Sequence, residues 1–437
     1  MSWLAFGALV GQALQAVAIP AITRVFSPAS LGAWAVVQSL VVTGASIAGL
    51  RYELAMPLVR DLADARSIAH LQMACATLVA CLVAMLFAWD LFLPSDLVSM
   101  FDSTLLVAAA FVLVLGGALF QLLGQAYIRD TRFGVLAALR GANGPGQTIA
   151  QLGIGWFTHG RPMALLAGAA VGTLLSLTIG WKEVQRFFLR GPFSSLRQLK
   201  TTSARFRHFP LFVVPYSLIT LARDRGSFLI IAAYLDLTAV GLVAIAQRLV
   251  TIPVGLVSAA ISPVIHQRLA SSDDRRLLEP DVAGVVVGLT WIGTSFFGML
   301  AGSAATIVPL LLGPEWQAAD AVCVALAGWG LSMSLSAVFD RTFDIVNRQS
   351  VALWIEGSSS LLSLTALWIL IASGSGLAGA LLVFAGVQVV HHLLWIAGAW
   401  LSVGFSPRGL RSLGLQLLLA AGSALTIFAI LRNWLQQ

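Results

Sequence analysis

Charged side chains are scarce in this 437-residue sequence, where Asp, Glu, Lys and Arg make up 10% of the residues and hydrophobic residues 58%. A soluble domain carries about 25% charged residues, so a water-soluble surface is excluded. Apolar runs recur along the chain, each long enough to cross a hydrocarbon core of about 30 Å as a helix. The alternating pattern of β-barrel strands is absent, and backbone groups in lipid must then be satisfied within helices. The sequence therefore predicts an all-α polytopic membrane protein.

Cysteine and catalytic motifs are equally sparse. The three cysteines, Cys75, Cys81 and Cys323, lie in apolar runs without disulfide or metal-ligand spacing, and we interpret them as packing residues. The sequence has no nucleophile–base pair, phosphate-binding loop or long outer loop, which argues against a membrane enzyme such as a glycan polymerase or ligase. No basic segment precedes the first apolar run, so residues 1–22 indicate a membrane helix rather than a signal peptide.

The apolar runs predict thirteen helices. Their approximate spans are 4–25, 31–57, 67–93, 103–127, 134–157, 162–181, 210–235, 239–266, 282–311, 318–343, 350–373, 376–402 and 410–431. With the N-terminus in the cytoplasm, nineteen of the 26 Lys and Arg residues fall on the cytoplasmic side, three fall outside and four lie within spans. This asymmetry follows the positive-inside rule. It predicts a multi-pass membrane protein with a cytoplasmic N-terminus, and it explains the net charge of +7 without a nucleic-acid partner.

Two segments of the chain resemble each other at an offset of 209 residues. Residues 26–40, FSPASLGAWAVVQSL, align without gaps to residues 235–249, LDLTAVGLVAIAQRL. The identical pairs are Gly32 and Gly241, Ala35 and Ala244, Gln38 and Gln247, and Leu40 and Leu249. Each copy falls at the start of the second helix of a six-helix half. This placement predicts a parallel repeat with a substrate cavity between the halves.

The predicted organisation has four parts. They are an N-terminal lobe at 1–181, a basic linker at 182–209, a C-terminal lobe at 210–402 and an additional helix at 403–437. The linker is basic and partly aromatic, which favours contact with anionic lipid. Docking of a cytoplasmic partner protein is the alternative interpretation of this segment.

Several stretches of the sequence are typical of one family. They are PAITRVFSPASLGAWAVVQSL with LRYELAMPL, FPLF at 209–212, VGLVAIAQRLVTIPVGLVSAAISPVIHQRLA at 240–270 and LLGPEWQAA at 311–319. In these stretches the chain resembles polysaccharide flippases of the Wzx type. These exporters belong to the superfamily of multidrug, oligosaccharidyl-lipid and polysaccharide exporters. The resemblance runs from the first helix to about residue 400.

The resemblance implies twelve core helices in two six-helix lobes around a central cavity, with the thirteenth helix as an addition. It implies export of a polyprenyl-diphosphate-linked saccharide to the periplasmic leaflet, for O-antigen or exopolysaccharide synthesis. Alternating access without a cofactor is the expected mechanism, with an H⁺ or Na⁺ gradient as the candidate driving force. The expected partners are the lipid-linked saccharide, membrane lipids and other polysaccharide-assembly proteins.

A cation-coupled multidrug antiporter of the same superfamily is the alternative function. A cationic drug needs buried carboxylates, but the first helix has none and the deepest charges are mostly positive. These features favour an anionic substrate over a cationic one. A passive scaffold is disfavoured by the repeat and by the arginines within the membrane.

Three arginines are predicted near the bilayer midplane. At about 1.5 Å of rise per residue, Arg223 and Arg225 lie roughly 20 Å into their helix, and Arg248 lies roughly 14 Å into the next one. Charge at such depth tends to face a cavity or a partner, and guanidinium groups suit a diphosphate or an acidic sugar. We predict that these arginines bind substrate. Structural pairing with Asp224 is the alternative.

Distortion is predicted in two helices. Arg223 and Arg225 are about 200° apart on a regular helix, so both can face one cavity only if Pro215 and Gly226 distort it. The fifth helix, LRGANGPGQTIAQLGIGWF at 139–157, is polar and rich in glycine. This composition indicates either a bent helix that lines a hydrated path or close packing through small residues.

Charge is also predicted at the two ends of the bilayer. Arg51 and Glu53 lie about 30 Å along the second helix, at its cytoplasmic mouth. Snorkelling to the headgroups is one interpretation of Arg51, and contact with the incoming diphosphate is the other. Arg24, at the outer end of the first helix, is predicted at the interface, where it would assist release of substrate.

Acidic and imidazole groups are candidates for coupling and gating. Three carboxylates are candidates for ion coupling, namely Glu53, Asp224 and Glu356. Asp340, Arg341 and Asp344 predict an ion network or gate near the cytoplasmic ends of the tenth and eleventh helices. His391 and His392 lie deep in the twelfth helix, where a proton-linked role and a structural role are both open.

Overall fold

The computed structural model describes residues 2–89, 97 and 100–435, and these residues form an all-α protein. Thirteen of its helices are 18 residues or longer. We label them α1 (Ser2–Val25), α2 (Pro28–Ala48), α3 (Leu62–Ala88), α4 (Ser103–Arg129), α5 (Phe133–Phe157), α6 (Pro162–Ile179), α7 (Val214–Tyr234), α8 (Leu237–Ala260), α9 (Glu279–Leu312), α10 (Ala319–Ser336), α11 (Gln349–Ala372), α12 (Leu377–Val403) and α13 (Pro407–Leu435). Each predicted helix has one counterpart in this series.

Ten helical segments of the described chain are long and apolar enough to cross a membrane. The all-α, multi-pass prediction is therefore confirmed. Polar capping groups set several of the helix starts. Ser27 accepts a hydrogen bond from the backbone N–H of Ser30 before α2, and Asp102 accepts one from Leu105 before α4. Each cap satisfies a backbone donor that the first turn of a helix leaves unpaired.

One predicted span ends earlier than expected, and two others are interrupted as helices but continue to Ser271 and Ile345 as membrane-spanning segments. The span 31–57 stops at Ala48, and Leu50 and Arg51 then adopt left-handed backbone angles before a 3₁₀ turn. The span 239–266 is divided at Ile261, because Pro263 begins a separate helix, Ser262–Ser271. The span 318–343 gives way after Ser336 to two short turns. Hydropathy continues across these breaks, so it cannot locate them. The predicted end of the third span, at 93, lies outside the described residues.

Contacts divide the chain into a first unit, residues 1–241, and a second unit, residues 242–437. In the first unit, a core cluster joins the turn after α2 to α3 and α4 through Tyr52, Met56 and Leu122. Phe187 and Phe206 of the segment 182–209 are buried in the same cluster. This segment is therefore docked on the first unit and belongs to its core.

The second unit has its own core, built on aromatic side chains near the ends of α10 and α12. Phe343 and Trp395 make an edge-to-face contact with ring centroids 4.8 Å apart. Trp400 is fully buried and lies 4.8 Å from Phe405, centroid to centroid. Such contacts fix the relative positions of α12 and the turns that follow α10.

The two copies of the repeated segment meet within the first unit. A methyl group on Gly32 would overlap the carbonyl oxygen of Leu237, and one on Gly241 would overlap the carbonyl oxygen of Pro28. Pro28 and Leu237 are themselves related by the offset of 209 residues. The contact is thus reciprocal, and glycine at both positions permits the backbones of α2 and α8 to touch.

Candidate functional site

Helix α7 carries the charged triplet Arg223, Asp224 and Arg225. The Nε and Nη2 atoms of Arg223 both lie 3.0 Å from Oδ1 of Asp224. The side chain of Arg223 is 17% exposed and that of Asp224 is 47% exposed. Arg223 therefore has a carboxylate partner, whereas the carboxylate remains open to its surroundings on one side.

The backbone of α7 limits how these charges can act together. The helix is continuous over Val214–Tyr234, and its irregular turn, a π-helical segment at Phe209–Val213, lies before the triplet. Helix α7 is unbroken at Gly226. Arg223 and Arg225 consequently project about 200° apart, and only one of them can face a given cavity.

Arg51 is the centre of a polar cluster that we call the Arg51 cluster: Arg51, Glu53, Gln121 and Ser217. Its Nε donates to Oγ of Ser217 at 3.0 Å, and its Nη1 donates to Oε1 of Gln121 at 3.2 Å. Nη1 also lies 3.6 Å from Oε1 of Glu53. The cluster thereby brings together the turn after α2, α4 and α7. Gln121 and Ser217 were not predicted, although a glutamine within an apolar helix is a usable signal.

Glu53 is buried, with 3% of its surface exposed. Burial raises the pKa of its carboxyl group, and the neighbouring Arg51 opposes that rise. Ser217 and Asp224 are seven residues apart, which places them on nearly the same face of α7 and about 10 Å apart along it. The Arg51 cluster and the Arg223–Asp224 pair therefore share one side of α7.

The remaining predicted arginines are separate from this cluster. Arg24 is exposed at the end of α1. Arg248 is half-buried in the part of α8 that belongs to the second unit. Asp340, Arg341 and Asp344 are exposed, and the backbone N–H of Arg341 donates to Nε2 of His266 at 3.3 Å.

A second charged group, which the sequence did not predict, joins α4 and α5 to the start of the docked segment. Glu183 is buried and accepts hydrogen bonds from Arg132 at 3.1 Å and from Arg186 at 3.2 Å. Arg186 also binds Asp130. The predicted cytoplasmic end of the first unit is thus cross-linked by ion pairs that mix both signs of charge.

His70 of α3 binds the middle of the docked segment, residues 182–209, through hydrogen bonds and ring stacking. Its Nδ1 lies 2.9 Å from Oγ of Ser194, and its Nε2 lies 3.1 Å from the carbonyl oxygen of Phe187. Its ring stacks on Phe193 with centroids 4.9 Å apart. These contacts hold the segment against α3 in one register.

The glycine-rich part of α5 packs closely on α6. A methyl group on Gly172 would overlap the backbone of Asn143 and Gln147, and Gly168 abuts Gln151 in the same way. Nε2 of Gln151 donates to the carbonyl oxygen of Leu165 at 2.9 Å. Glycines of α6 therefore permit close packing of that helix on the polar residues Asn143, Gln147 and Gln151 of α5.

In the second unit, buried ionisable groups on α11 and α12 contact one another or serine hydroxyl groups. Glu356 of α11 is 4% exposed, and its Oε2 lies 3.6 Å from Nε2 of His391 on α12. His392 is also buried, with its Nδ1 2.8 Å from Oγ of Ser336. The structure thus joins Glu356, a predicted coupling residue, to a histidine.

A family model described as "Polysaccharide biosynthesis protein" matches residues 21–321. A search of curated protein sequences gives no significant match.

Among solved structures, the lipid II flippase MurJ in an inward closed conformation superposes with a TM-score of 0.73 at 8% identity, covering 100% of this chain and 99% of that one. An inward-facing multidrug transporter of the MATE family gives 0.60 at 13% identity, over 93% and 95% of the two chains. A point mutant of the Vibrio cholerae MATE transporter VcmN gives 0.53 at 16% identity, over 94% and 95%. At these identities the likeness establishes the fold. With its family model matched over more than half of its length, the chain belongs to the polysaccharide biosynthesis protein family and has the fold of the MurJ and MATE transporters.

Proposed function

We propose that this protein moves a polyprenyl-diphosphate-linked oligosaccharide from the cytoplasmic to the periplasmic leaflet of a bacterial cytoplasmic membrane. One observation carries the proposal: a chain of a polysaccharide biosynthesis family has the fold of a lipid II flippase. The membrane-bound intermediates of such synthesis are built on lipid carriers, and a diphosphate headgroup cannot cross hydrocarbon unaided. The N-terminus faces the cytoplasm in this proposal.

The Arg51 cluster supplies the first contact with the diphosphate. Arg51 is held by two neutral acceptors, Gln121 and Ser217, which an anion can replace at little electrostatic cost. The side chain of Arg51 is 21% exposed, so it is both positioned and partly accessible. A planar guanidinium offers paired donors to phosphate oxygens. The diphosphate thus displaces neutral partners and gains a charged one.

Helix α7 extends this path towards the membrane interior. Asp224 lies on the same side of α7 as Ser217, and Arg223 is paired to it. A phosphate that takes the place of Asp224 on Arg223 would release the carboxylate, which couples substrate binding to a change at the triplet. Arg225, on another face, and Arg248, in the second unit, are separate candidates for contact with substrate, and Arg24 remains a candidate for its release.

The proposal is tested by locating the lipid-linked saccharide in cells that lack the protein. We expect accumulation in the cytoplasmic leaflet, measured by protection of the saccharide from an external glycosidase in spheroplasts. Wild type should relieve the accumulation, whereas Arg51→Ala and Arg223→Ala should not. Arg161→Ala is the matched control, because Arg161 is exposed and is predicted to lie on the outer side.

The outcomes separate the function from the site. Relief by every variant, at equal membrane abundance, would remove the arginine site and retain the flippase. Normal outer-leaflet arrival without the protein, in a strain that has no second exporter, would overturn the flippase. Efflux of cationic dyes that depends on this protein would then favour the antiporter alternative.

A further inference from the structure

Helices α11 and α12 face each other through polar residues in the middle of two apolar spans. On α11, residues Glu356, Ser359, Ser360 and Ser363 follow the spacing i, i+3, i+4, i+7, and on α12 Gln388, His391, His392 and Trp395 follow the same spacing. This spacing places each set on one face of its helix. We call these eight residues the polar seam; Gln388 and His391 contact α11, whereas His392 contacts Ser336 of α10.

Every ionisable residue of the polar seam is excluded from solvent. Glu356 is 4% exposed, His391 2% and His392 7%, and Gln388 is 1% exposed. His391 is roughly 20 Å from the start of α12, by the rise of about 1.5 Å per residue. Ionisable groups at bilayer depth are expensive to keep and mark ion pathways and proton relays in membrane proteins.

The hydrogen bonds of Ser359 restrict where protons can reside. Its Oγ lies 2.7 Å from the carbonyl oxygen of Ile355 and 2.7 Å from Nδ1 of His391. A hydroxyl has a single proton, and if Ser359 donates it to the carbonyl, it must accept from Nδ1–H. The other ring nitrogen, Nε2, then faces Oε2 of Glu356 at 3.6 Å.

A single proton shared between Nε2 of His391 and Oε2 of Glu356 makes this pair of side chains neutral overall. It resides either on Nε2, as imidazolium beside carboxylate, or on Glu356, as carboxylic acid beside imidazole. Removal of that proton leaves a net negative charge in an apolar interior, which is costly. The buried pair therefore retains one proton, and hydration of the seam would permit its release.

His392 and Gln388 extend the seam on either side of the pair. Ser336 lies 3.0 Å from the carbonyl oxygen of Met333 as well as 2.8 Å from His392, so it can hold Nδ1–H of that ring as Ser359 does for His391. The two histidine rings are 4.8 Å apart, and repulsion therefore disfavours charge on both. Oε1 of Gln388 is buried without a hydrogen-bond partner among the described residues, which leaves an acceptor for water next to the pair.

The other ionisable groups on the surrounding elements lie near the ends of those elements. On α10 and the turns after it, on the helix at 262–271 and on α13 they are Asp320, Cys323, Asp340, Arg341, Asp344, His266, Arg268, Arg408, Arg411 and Arg432, and Arg348 directly precedes α11. Trp395 contacts both the pair and the turns after α10, because its ring lies 5.9 Å from that of His391, centroid to centroid, and its Nε1 donates to the carbonyl oxygen of Phe339 at 3.4 Å. The pair is thus enclosed by hydroxyl, amide and aromatic groups.

We propose that Glu356 and His391 form a proton-binding site of the second unit, and that one proton bound there drives each transport cycle. The second clause rests on the proposed function, whereas the first does not. When the seam is dry, the pair holds its proton. When the unit changes conformation and water reaches Gln388, the proton leaves to the side from which water enters. One proton is taken from water on one side of the membrane and returned to water on the other.

Proton binding is measured first on the purified full-length protein in lipid nanodiscs. At about pH 6, where an unperturbed imidazole is partly charged, ¹⁵N spectra of labelled histidine and the infrared carboxylic-acid band report the two groups together. We expect either a doubly protonated His391 or a protonated Glu356 in wild type. Glu356→Gln, which preserves shape, should remove the proton from both positions. His159→Asn is the control, because His159 is exposed with a left-handed backbone that asparagine tolerates.

Coupling is measured in proteoliposomes that contain lipid-linked saccharide extracted from cells lacking the protein. For one proton per cycle, a pH difference of one unit should shift the equilibrium leaflet ratio about tenfold in wild type. Glu356→Gln and His391→Asn should show no such shift while retaining exchange between the leaflets. Scanning of thermal stability verifies that each variant is folded.

The possible results test the proton-binding site, its coupling to transport and the proposed function separately. A neutral His391 beside an ionised Glu356 at about pH 6, or spectra unchanged by Glu356→Gln, would overturn the proton site. Wild-type flipping that ignores the pH difference would overturn coupling and leave the flippase intact. A proton-loaded pair in a protein that does not flip the extracted lipid would support the site and count against the proposed function.

Discussion

The two units of this protein handle charge differently. In the first unit, Arg51 and Arg223 are partly exposed and rest on partners that an incoming anion can replace. In the second unit, Glu356 and His391 are enclosed and paired with each other. A half-exposed cation suits a ligand that arrives and departs, whereas an enclosed pair suits a proton, which needs no space. The contrast supports the two proposals made above, which place the substrate contact in the first unit and the proton-binding site in the second.

The units differ in the use of glycine as well. In the first unit, Gly32 and Gly172 are pressed against the backbone of another helix. In the second unit, Gly357 and Gly386 have nothing within 4 Å of the position that a methyl group would occupy. The close contacts of Gly32 and Gly172 therefore hold pairs of helices together, whereas a methyl group on Gly357 or Gly386 would meet open space.

Removal of one member of the buried pair should have the largest effect. His391→Asn leaves the Glu356 carboxylate buried without its partner, which typically costs about 3–5 kcal/mol. The free energy of unfolding in mixed micelles, from denaturant titration, measures this loss. The double variant Glu356→Gln/His391→Asn should recover most of it. Purely additive losses would show that the two side chains do not interact.

The second largest loss of stability is expected from a substitution where the two copies of the repeated segment touch. Gly32→Ala places a methyl group on the backbone of Leu237, which cannot rotate away, so overpacking should cost about 1–3 kcal/mol. Gly357→Ala is the matched control and should be neutral or stabilising by up to about 1 kcal/mol, because alanine favours helix. Thermal stability in detergent compares the two. Equal melting temperatures would refute the contrast in glycine packing.

Truncation of Arg51 should lower the free energy of unfolding by a comparable or smaller amount, and this loss should depend on pH. Arg51→Ala removes charge-assisted hydrogen bonds worth about 1.5–3 kcal/mol. Burial raises the folded-state pKa of Glu53 above its ordinary 4.5, so this carboxyl stabilises the fold below that pH and loses its contribution as pH rises through the raised value.

Without Arg51, the pKa of Glu53 rises further and stability should decline more steeply above pH 4.5 than in wild type. Denaturant titrations at several pH values above 4.5 measure how steeply the free energy of unfolding falls with pH. Arg51→Ala/Glu53→Gln should return to a flat dependence, and a steep slope in the double variant would assign the effect to another group.

The exposed ion pair between Arg205 and Asp64 should contribute least to the stability of the protein. Their side chains are 56% and 47% exposed, and exposed pairs contribute about 0.2–1 kcal/mol. Arg205→Ala should therefore leave membrane abundance unchanged and reduce thermal stability slightly, with a smaller reduction at high salt. A loss as large as that of Arg51→Ala would indicate that the docked segment depends on this contact.

The sequence located the long helices well, because a run of apolar residues that must span hydrocarbon has few alternatives. The predicted spans 134–157 and 162–181 correspond to α5 and α6 within two residues. It failed where a helix breaks without a loss of hydropathy, as after Ala48 and after Ala260. After Ala48 the backbone turns to left-handed angles at Leu50 and Arg51, and after Ala260 a new helix begins at Ser262 with Pro263 in its first turn.

The candidate site was predictable in its charges and not in its partners. Arg51 and Glu356 stand out as charges within apolar sequence. Their partners Ser217 and His391 are 166 and 35 residues away, and only the packing of helices reveals them. The buried Glu183 was missed because its neighbours in sequence form an ordinary basic segment, so nothing local indicates that it is enclosed.

The reciprocal contact between Gly32 and Gly241 has a consequence for the origin of the chain. In an isologous interface, residue i of one copy touches residue j of the other, and j touches i in return. Pro28, Gly32, Leu237 and Gly241 obey this relation within a single chain. A polypeptide of half this length, carrying one copy of the segment, would thus present a self-complementary surface. Fusion of two such chains would preserve the glycine crossing and leave each half free to acquire its own charges.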